Sequence, residues 1–428
     1  MIDFILSPTQ QQMRKEAAGF ADQVLKGAHA VYSKHASQSE RFRSTRQFYR
    51  MATAGGMIKG QIPTALGGAN ESLVDAAVTL EELFAADTSV TLTVAATGLG
   101  LTPLIMSGHE RLQKEYLKPF LTGEGEPLAS LVHSEPGGTA NWLETGGKGL
   151  RTTARKEGDE WIVEGEKLWT TNSGGWDGKG ADLQCVVCRK IVEGQTNGDD
   201  KDVEPRSSVI ILLVTRDIIA QNHPSAYTIL DEPELMGFPA HSGPHSRYSG
   251  LRVPVDNVLA EGEAAASLIE MSFTASAALV GAFSVSIMRA AFDAALAFAK
   301  SDSRGGSVPI IERQSVADLL IDIKMRVDAS RLLTWKALHS LENGPGDVKS
   351  RQELCYEAKI FASDNCVRSV TDAMSAVGMT SYRKDQPFTR LLSDASCLPL
   401  FDGGNMGVRR RQLERIFQSE DYNSLGGL

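Results

Sequence analysis

The sequence predicts an α+β protein built from three successive blocks: a helical domain over residues 1–125, a β domain over 126–262 and a helical bundle domain over 263–428. Three observations carry this. Apolar residues recur with helical period until about residue 122, between about 127 and 260 they fall into short alternating or continuous runs closed by turn residues, and after Gly262 the helical period returns. At 428 residues, with 42% hydrophobic and 23% charged, the chain has an ordinary globular balance and can bury a sizeable core.

The first block opens with "SPTQQQMRKEAAGFADQVL", a Ser-Pro start signal running into an amphipathic helix. Breaks are expected near Ser37, from Pro63 to Gly68 and at Gly108, while the "GLG" at 98–100 sits inside a helical pattern and reads as packing rather than phosphate binding. In the second block "TTARKEGDEWIVEGEKLW" reads as two strands around a Gly158–Asp159 turn, and "LQCVVCR", "SSVIILLVT" and "SRYSGLRVPVDNVL" as further strands. A polar loop, "IVEGQTNGDDKDVEPR", separates them at 191–206. In the third block Leu279, Phe283 and Ile287, then Val316, Leu320, Ile323 and Val327, step as buried helix faces do, and the Ala-rich "RAAFDAALAFAK" lets helices approach closely.

A formal net charge of −9 argues against a nucleic-acid partner. No segment approaches roughly 20 continuous apolar residues, so no membrane span is expected. Nor does the N-terminus carry the basic and apolar regions of a secretory signal, so a cytoplasmic location is expected. Five cysteines make no disulfide framework, and Cys185 and Cys188, three apart on a strand, should point to opposite faces with no second pair to complete a metal site. No metal is expected. GxGxxG between strand and helix, GxxxxGK[ST], GxSxG and HExxH are all missing, so no Rossmann unit holds a cofactor.

The stretch "CLPLFDGGNMGVRRRQLERI" at 397–416 admits two readings. Asp402 could be a helix N-cap before a turn at Gly403, Gly404 and Asn405, with Val408, Leu413 and Ile416 facing inward and Arg410 and Arg411 solvated. Or it is a chemical carboxylate, with Arg409 two helical turns along the same face and long enough to reach back to it.

Two stretches of the β block, "SLVHSEPGGTANW" at 130–142 and "VEGEKLWTTNSGGW" at 163–176, are not well explained by packing alone. With "RVPVDNVL", Arg304 followed by Gln314, and the terminal FDGG, they resemble the acyl-CoA dehydrogenase family of flavoproteins over nearly the whole chain. The resemblance implies FAD as cofactor, a C-terminal four-helix bundle and a homotetramer. In the dehydrogenases the base is typically the glutamate of a Tyr-Glu-Gly stretch. Here Phe401-Asp402-Gly403 stands in its place, which is the pattern of family members that oxidise nitroalkanes.

That implies a small neutral nitroalkane as substrate, oxidised to aldehyde or ketone with release of nitrite and, from molecular oxygen, hydrogen peroxide. Asp402 would remove the α-proton, Arg409 keep it ionised and Ser276 hydrogen-bond it. A lone serine there could equally bond its own backbone. For the flavin, the resemblance assigns Trp169 to the ring system, Thr171 to N5, and Leu131, His133 and Ser134 to the pyrimidine side. Leu400 and Gly404, on either side of Asp402, are assigned to the flavin as well. Thr139-Ala140 replaces the usual Gly-Ser at the pyrophosphate loop, and Arg304, Gln314, Ser375 and Gly378 match residues binding the adenine half across a subunit interface. The competing readings are an acyl-CoA dehydrogenase, a flavin monooxygenase on the same scaffold, or a flavin-free structural protein.

Overall fold

A computed structural model describes residues 5–191 and 204–426. The first helix, α1 (Pro8–Gln23), starts as its sequence dictates: the Ser7 hydroxyl accepts from the Gln10 N–H while the Gln10 side chain accepts from Ser7 N–H, a reciprocal cap with Pro8 behind it. Then come α2 (Ala28–Tyr32), α3 (Gln38–Ser44), α4 (Arg46–Ala54), α5 (Leu73–Ala86), α6 (Thr88–Met106), α7 (Glu110–Tyr116) and α8 (Lys118–Leu121). The breaks lie where expected: Ser37 caps α3, short 3-10 turns span Lys59–Leu66, and Gly108 takes φ 65° beyond α6.

Eight strands form one sheet: β1 (Ala129–Val132), β2 (Thr153–Glu157), β3 (Glu160–Lys167), β4 (Leu183–Ile191), β5 (Val209–Thr215), β6 (Tyr227–Asp231), β7 (His245–Pro254) and β8 (Val258–Glu261). The order is β6-β7-β3-β2-β4-β5-β8, with β1 parallel to β4 over Leu183–Val186 and β2 parallel to the later residues of β4. A short helix, α9 (Arg216–Gln221), follows β5. The Gly158–Asp159 hairpin pairs β2 with β3 as the sequence predicts. β1 and β6, of four and five residues, are too brief for alternation to reveal. The polar stretch expected at 191–206 lies largely outside the described residues.

Alternation sends the two faces of the sheet into different cores. Cys185, Val187, Ile211 and Leu213 pack with Ile62, Val94, Leu101 and Leu104 of the helical block, whereas Val186, Cys188, Ile210 and Leu212 join Tyr248 and Val253 on the other side. The two cysteines therefore face apart, and burial pushes each thiol up to about 12. Helix α6 meets the sheet at Gly100, where a Cβ would stand 2.3 Å from the Ser130 backbone nitrogen. The "GLG" is a packing feature, as expected.

The third block is α10 (Gly262–Ser301), α11 (Gln314–Asn343), α12 (Val348–Val377) and α13 (Phe388–Cys397), closed by α14 (Arg410–Phe417). Phe283 and Ile287 of α10 meet Leu320, Ile323 and Val327 of α11 and Val370 of α12 in one core, with Ala291, Ala295 and Ala299 buried at the helix contacts. Among the described residues two helices, α6 and α10, are long and apolar enough to cross a membrane by length and composition, which corrects the sequence reading. Their apolar windows are 67% and 72% buried inside the protein, so both serve as core helices.

Polar joints tie the blocks. Glu81 of α5 takes a bidentate pair of bonds from Arg331 of α11 (2.8 and 2.9 Å), and Glu82 takes one from Arg289 of α10. Asp394 of α13, wholly buried, accepts from the Phe238 N–H at 2.7 Å and the Thr88 hydroxyl at 2.8 Å. Burial raises its carboxyl to about 6 despite both bonds.

Candidate active site

The 3-10 turn Leu398–Leu400 ends α13, and the next three turning residues all have positive φ: Asp402 at 50°, Gly403 at 86° and Gly404 at 74°. Asp402 is the costly member, since a non-glycine residue in the left-handed region carries strain. A Cβ on Gly403 would stand 2.8 Å from Val408, so that position admits only glycine as built. A π-helical turn, Asn405–Arg409, then leads into α14. Strain and a π-turn together are common at functional sites.

Asp402 caps nothing. The residue before the π-turn is Gly404, and the half-buried Asp402 carboxylate instead accepts at Oδ2 from the Ser276 hydroxyl of α10, 2.7 Å away. Ser276 thus spends its proton on Asp402 rather than on its own backbone.

Beneath this loop lies a group the sequence reading missed. Lys359 of α12 is wholly buried and donates to the Pro399 carbonyl at 3.1 Å and to Asn405 Oδ1. The Asn405 amide donates in turn to Ser363 Oγ at 3.0 Å and Asp364 Oδ1 at 2.7 Å. Lys359 makes no ion pair within 4 Å among the described residues, and burial brings its ammonium down to about 8 although the Asp402 charge pulls the other way. No sequence signal marks it, because its partners lie 40 and 46 positions further on.

Arg409 corrects an expectation. It is buried, but it makes no ion pair with Asp402: its guanidinium donates to Gln412 at 2.8 Å and to the Phe273 carbonyl at 3.2 Å, and lies 4.9 Å from the Tyr356 ring centroid. The same-face argument assumed α-helical spacing, whereas glycine and a π-turn intervene. Arg411, expected in solvent, bonds the Ala140 carbonyl and the Asn141 side chain.

From Arg409 a chain of contacts runs through Phe273 of α10 to the first of the two β-domain stretches. Phe273, three residues before Ser276, meets His133 edge-on at 5.3 Å, and His133 meets Trp142 at 4.7 Å. Phe401 packs on Phe238 at 5.1 Å. Leu131 and His133 are buried, and Ser134 accepts from the Leu168 N–H through its carbonyl. Thr139 is half-buried beside Arg411's contacts, and the Thr171 carbonyl accepts from Ser130 at 2.7 Å. Trp169 takes φ 66° and leaves its indole 54% exposed, an unusual posture for a large aromatic ring.

These residues fit a planar group with a polar edge. Burial drives His133 down to about 3, so its ring is neutral, yet the buried Nε2 has no hydrogen-bond partner. A buried ring nitrogen left without a partner is what the polar edge of a flavin could satisfy. At the far end of the bundle Arg304, at φ 51°, donates to the Ala376 carbonyl at 2.8 Å and to that of Val377, against Gly378. The chain itself gathers Arg304 with the end of α12. The Ser375 hydroxyl bonds Thr371 of its own helix, while Gln314, opening α11, is exposed, as is Leu400.

The family models "Acyl-CoA dehydrogenase, N-terminal domain" and "Acyl-CoA dehydrogenase, C-terminal domain" match residues 7–124 and 266–417. The chain belongs to the acyl-CoA dehydrogenase family, and it is a flavoprotein oxidoreductase. Within the family it is similar, end to end, to nitroalkane oxidases. That of Fusarium oxysporum is 54% identical over 423 residues, covering 99% of this chain and 96% of the relative. That of Podospora anserina is 47% identical over 424 residues, with coverage of 99% and 97%. A crystal structure of nitroalkane oxidase with the competitive inhibitor spermine superposes at a TM-score of 0.97, with 53% identity over 100% of this chain and 99% of that one.

Proposed function

We propose that the protein oxidises small neutral nitroalkanes to aldehydes or ketones, with FAD as its cofactor and oxygen as the final electron acceptor. For a primary substrate, nitroalkane, oxygen and water give aldehyde, nitrous acid and hydrogen peroxide, a balance that closes in atoms and electrons. The observation that carries the reading is Asp402, a half-buried carboxylate on a strained loop with its Oδ2 fixed by Ser276. Full-length likeness to two nitroalkane oxidases supports it. Solved nitroalkane oxidase structures, 53% identical to this chain, include the active-site mutant S276A crystallized with 1-nitrohexane and D402N with 1-nitrooctane.

A nitro group acidifies its α C–H, yet carbon gives up protons slowly, so a positioned base lowers the barrier. Asp402 takes that proton. Ser276 holds one carboxylate oxygen, which leaves Oδ1 to face the carbon. Bound FAD supplies the electron sink. Trp169, Thr171, Leu131, His133, Ser134, Leu400 and Gly404 surround its ring system in this reading. Thr139 lies toward the pyrophosphate, and Arg304, Gln314, Ser375 and Gly378 serve the adenine half within a homotetramer. Arg409 places a fixed positive charge in the wall without contacting the base.

Mixing the holoenzyme with neutral nitroethane or with butyryl-CoA under nitrogen, and following flavin absorbance, tests the activity. Nitroethane should bleach the flavin and the thioester should not; the reverse would replace this reading with thioester dehydrogenation. Asp402→Asn should keep its FAD and lose about two to four orders of magnitude in the reductive rate, and Ser276→Ala about one.

A further inference from the structure

Lys359 is the one wholly buried cation in contact with the loop that carries Asp402 among the described residues, and its hydrogen bonds bracket that loop. Pro399 stands three residues before the base and Asn405 three after, so one ammonium ties down both ends of a segment with three positive-φ residues. Taking a charge out of water is costly, and a fold normally answers it with an opposite charge in contact. Here the contact partners are a carbonyl and an amide, both neutral.

We infer that Lys359 is a positioning residue for the Asp402 base: it clamps the base loop at both ends and sets a buried positive charge beneath it. The inference rests on the reading of Asp402 as the base. The charged groups facing Lys359 are Asp402 and Arg409 from the loop and π-turn, and Asp364 on its own helix. Asp364 is drawn off by Arg410 at 3.3 Å and by the Asn405 amide, while α10 presents the neutral Ser276 hydroxyl to Asp402. Arg409, buried and held by the neutral Gln412 and Phe273 acceptors, is a second cation beside the loop. Asp402, with no cation in contact among the described residues, is the anion that these two cations face.

The test compares wild type, Lys359→Gln, Lys359→Met and Lys359→Arg as holoenzymes, with FAD content and Tm recorded for each. The readout is the acid limb of the pH profile of kcat/KM with neutral nitroethane, set against turnover of the pre-formed ethyl nitronate anion, which needs no base. Removing a nearby cation raises a carboxyl pKa, so in the two neutral variants the acid limb should move up by about one pH unit. The arginine variant should stay with wild type, and nitronate turnover should change less than about twofold, well inside the tenfold that one positioned contact can carry. An unmoved limb in a folded neutral variant overturns the inference, as does equal loss on nitroethane and nitronate, which would mark a merely structural role. If neither neutral variant folds, an acid limb that moves in the arginine variant overturns it and one that stays supports it. Wild type inert toward nitroethane would instead overturn the proposed activity, and this inference with it.

Discussion

Among the described residues two lysines lie wholly inside the protein, Lys167 in the sheet and Lys359 in the bundle, and the fold keeps them in different ways. Lys167 spends its three protons on Glu135 at 3.0 Å and on the carbonyls of His133 and Val187 at 2.9 and 2.7 Å. Burial would push Glu135 up, but Lys167 and the backbone N–H groups of Arg151 and Thr152 pull it down to about 2. That cluster is closed on itself. Lys359 has neutral contacts only, and the Asp402 charge pulls on it without offsetting its burial. A buried charge paired in contact belongs to the fold, whereas one left unpaired acts on whatever anion shares its surroundings.

The largest expected effect comes from breaking the closed cluster. Lys167→Met leaves the buried Glu135 with two backbone N–H groups and the Arg151 guanidinium at 3.6 Å but without its closest cation, and should cost about 3–5 kcal/mol in urea unfolding of the flavin-saturated protein. A loss below about 1 kcal/mol would erase the distinction between the two sites.

Next is the response to acid. A carboxyl held at about 2 against 4.5 when free binds fewer protons folded than unfolded, so its stabilisation is complete above pH 4.5 and is lost as pH falls toward 2. Glu135→Gln should flatten the stability curve in that window, and an unchanged curve would count against the pair.

The smallest effect is expected at the other lysine. Lys359→Met should change stability at pH 7 by no more than about 2 kcal/mol, since two lost hydrogen bonds are offset by relief of a buried charge. The sign with pH is the opposite of the usual lysine: the folded pKa lies below the free value, so the unfolded chain binds more protons between about 8 and 10.5 and wild-type stability rises across that window. The methionine variant should lack the rise.

Much of this was legible in the sequence, and the limits have physical causes. Period alone ordered the three blocks, Ser7 and Pro8 announced α1, and the two-residue repeat put Cys185 and Cys188 on opposite faces. Ser276 met Asp402 across 126 positions, a pairing that family resemblance supplied and spacing never could. Arg409 failed because its distance from Asp402 was counted in α-helical turns across a stretch that is not α-helical. Lys359 was silent for a different reason: a lysine on a long helix carries no mark of burial until helix and loop are packed.

Asp394 joins α13, the β-domain turn at Phe238 and the start of α6 through one carboxylate, so at that point the three blocks share a single rivet. There is no seam there for them to part along. Leu400 and Met406, 74% and 80% exposed on either side of Asp402, stand outside that rivet, and exposed side chains change rotamer in picoseconds to nanoseconds, far faster than domains hinge.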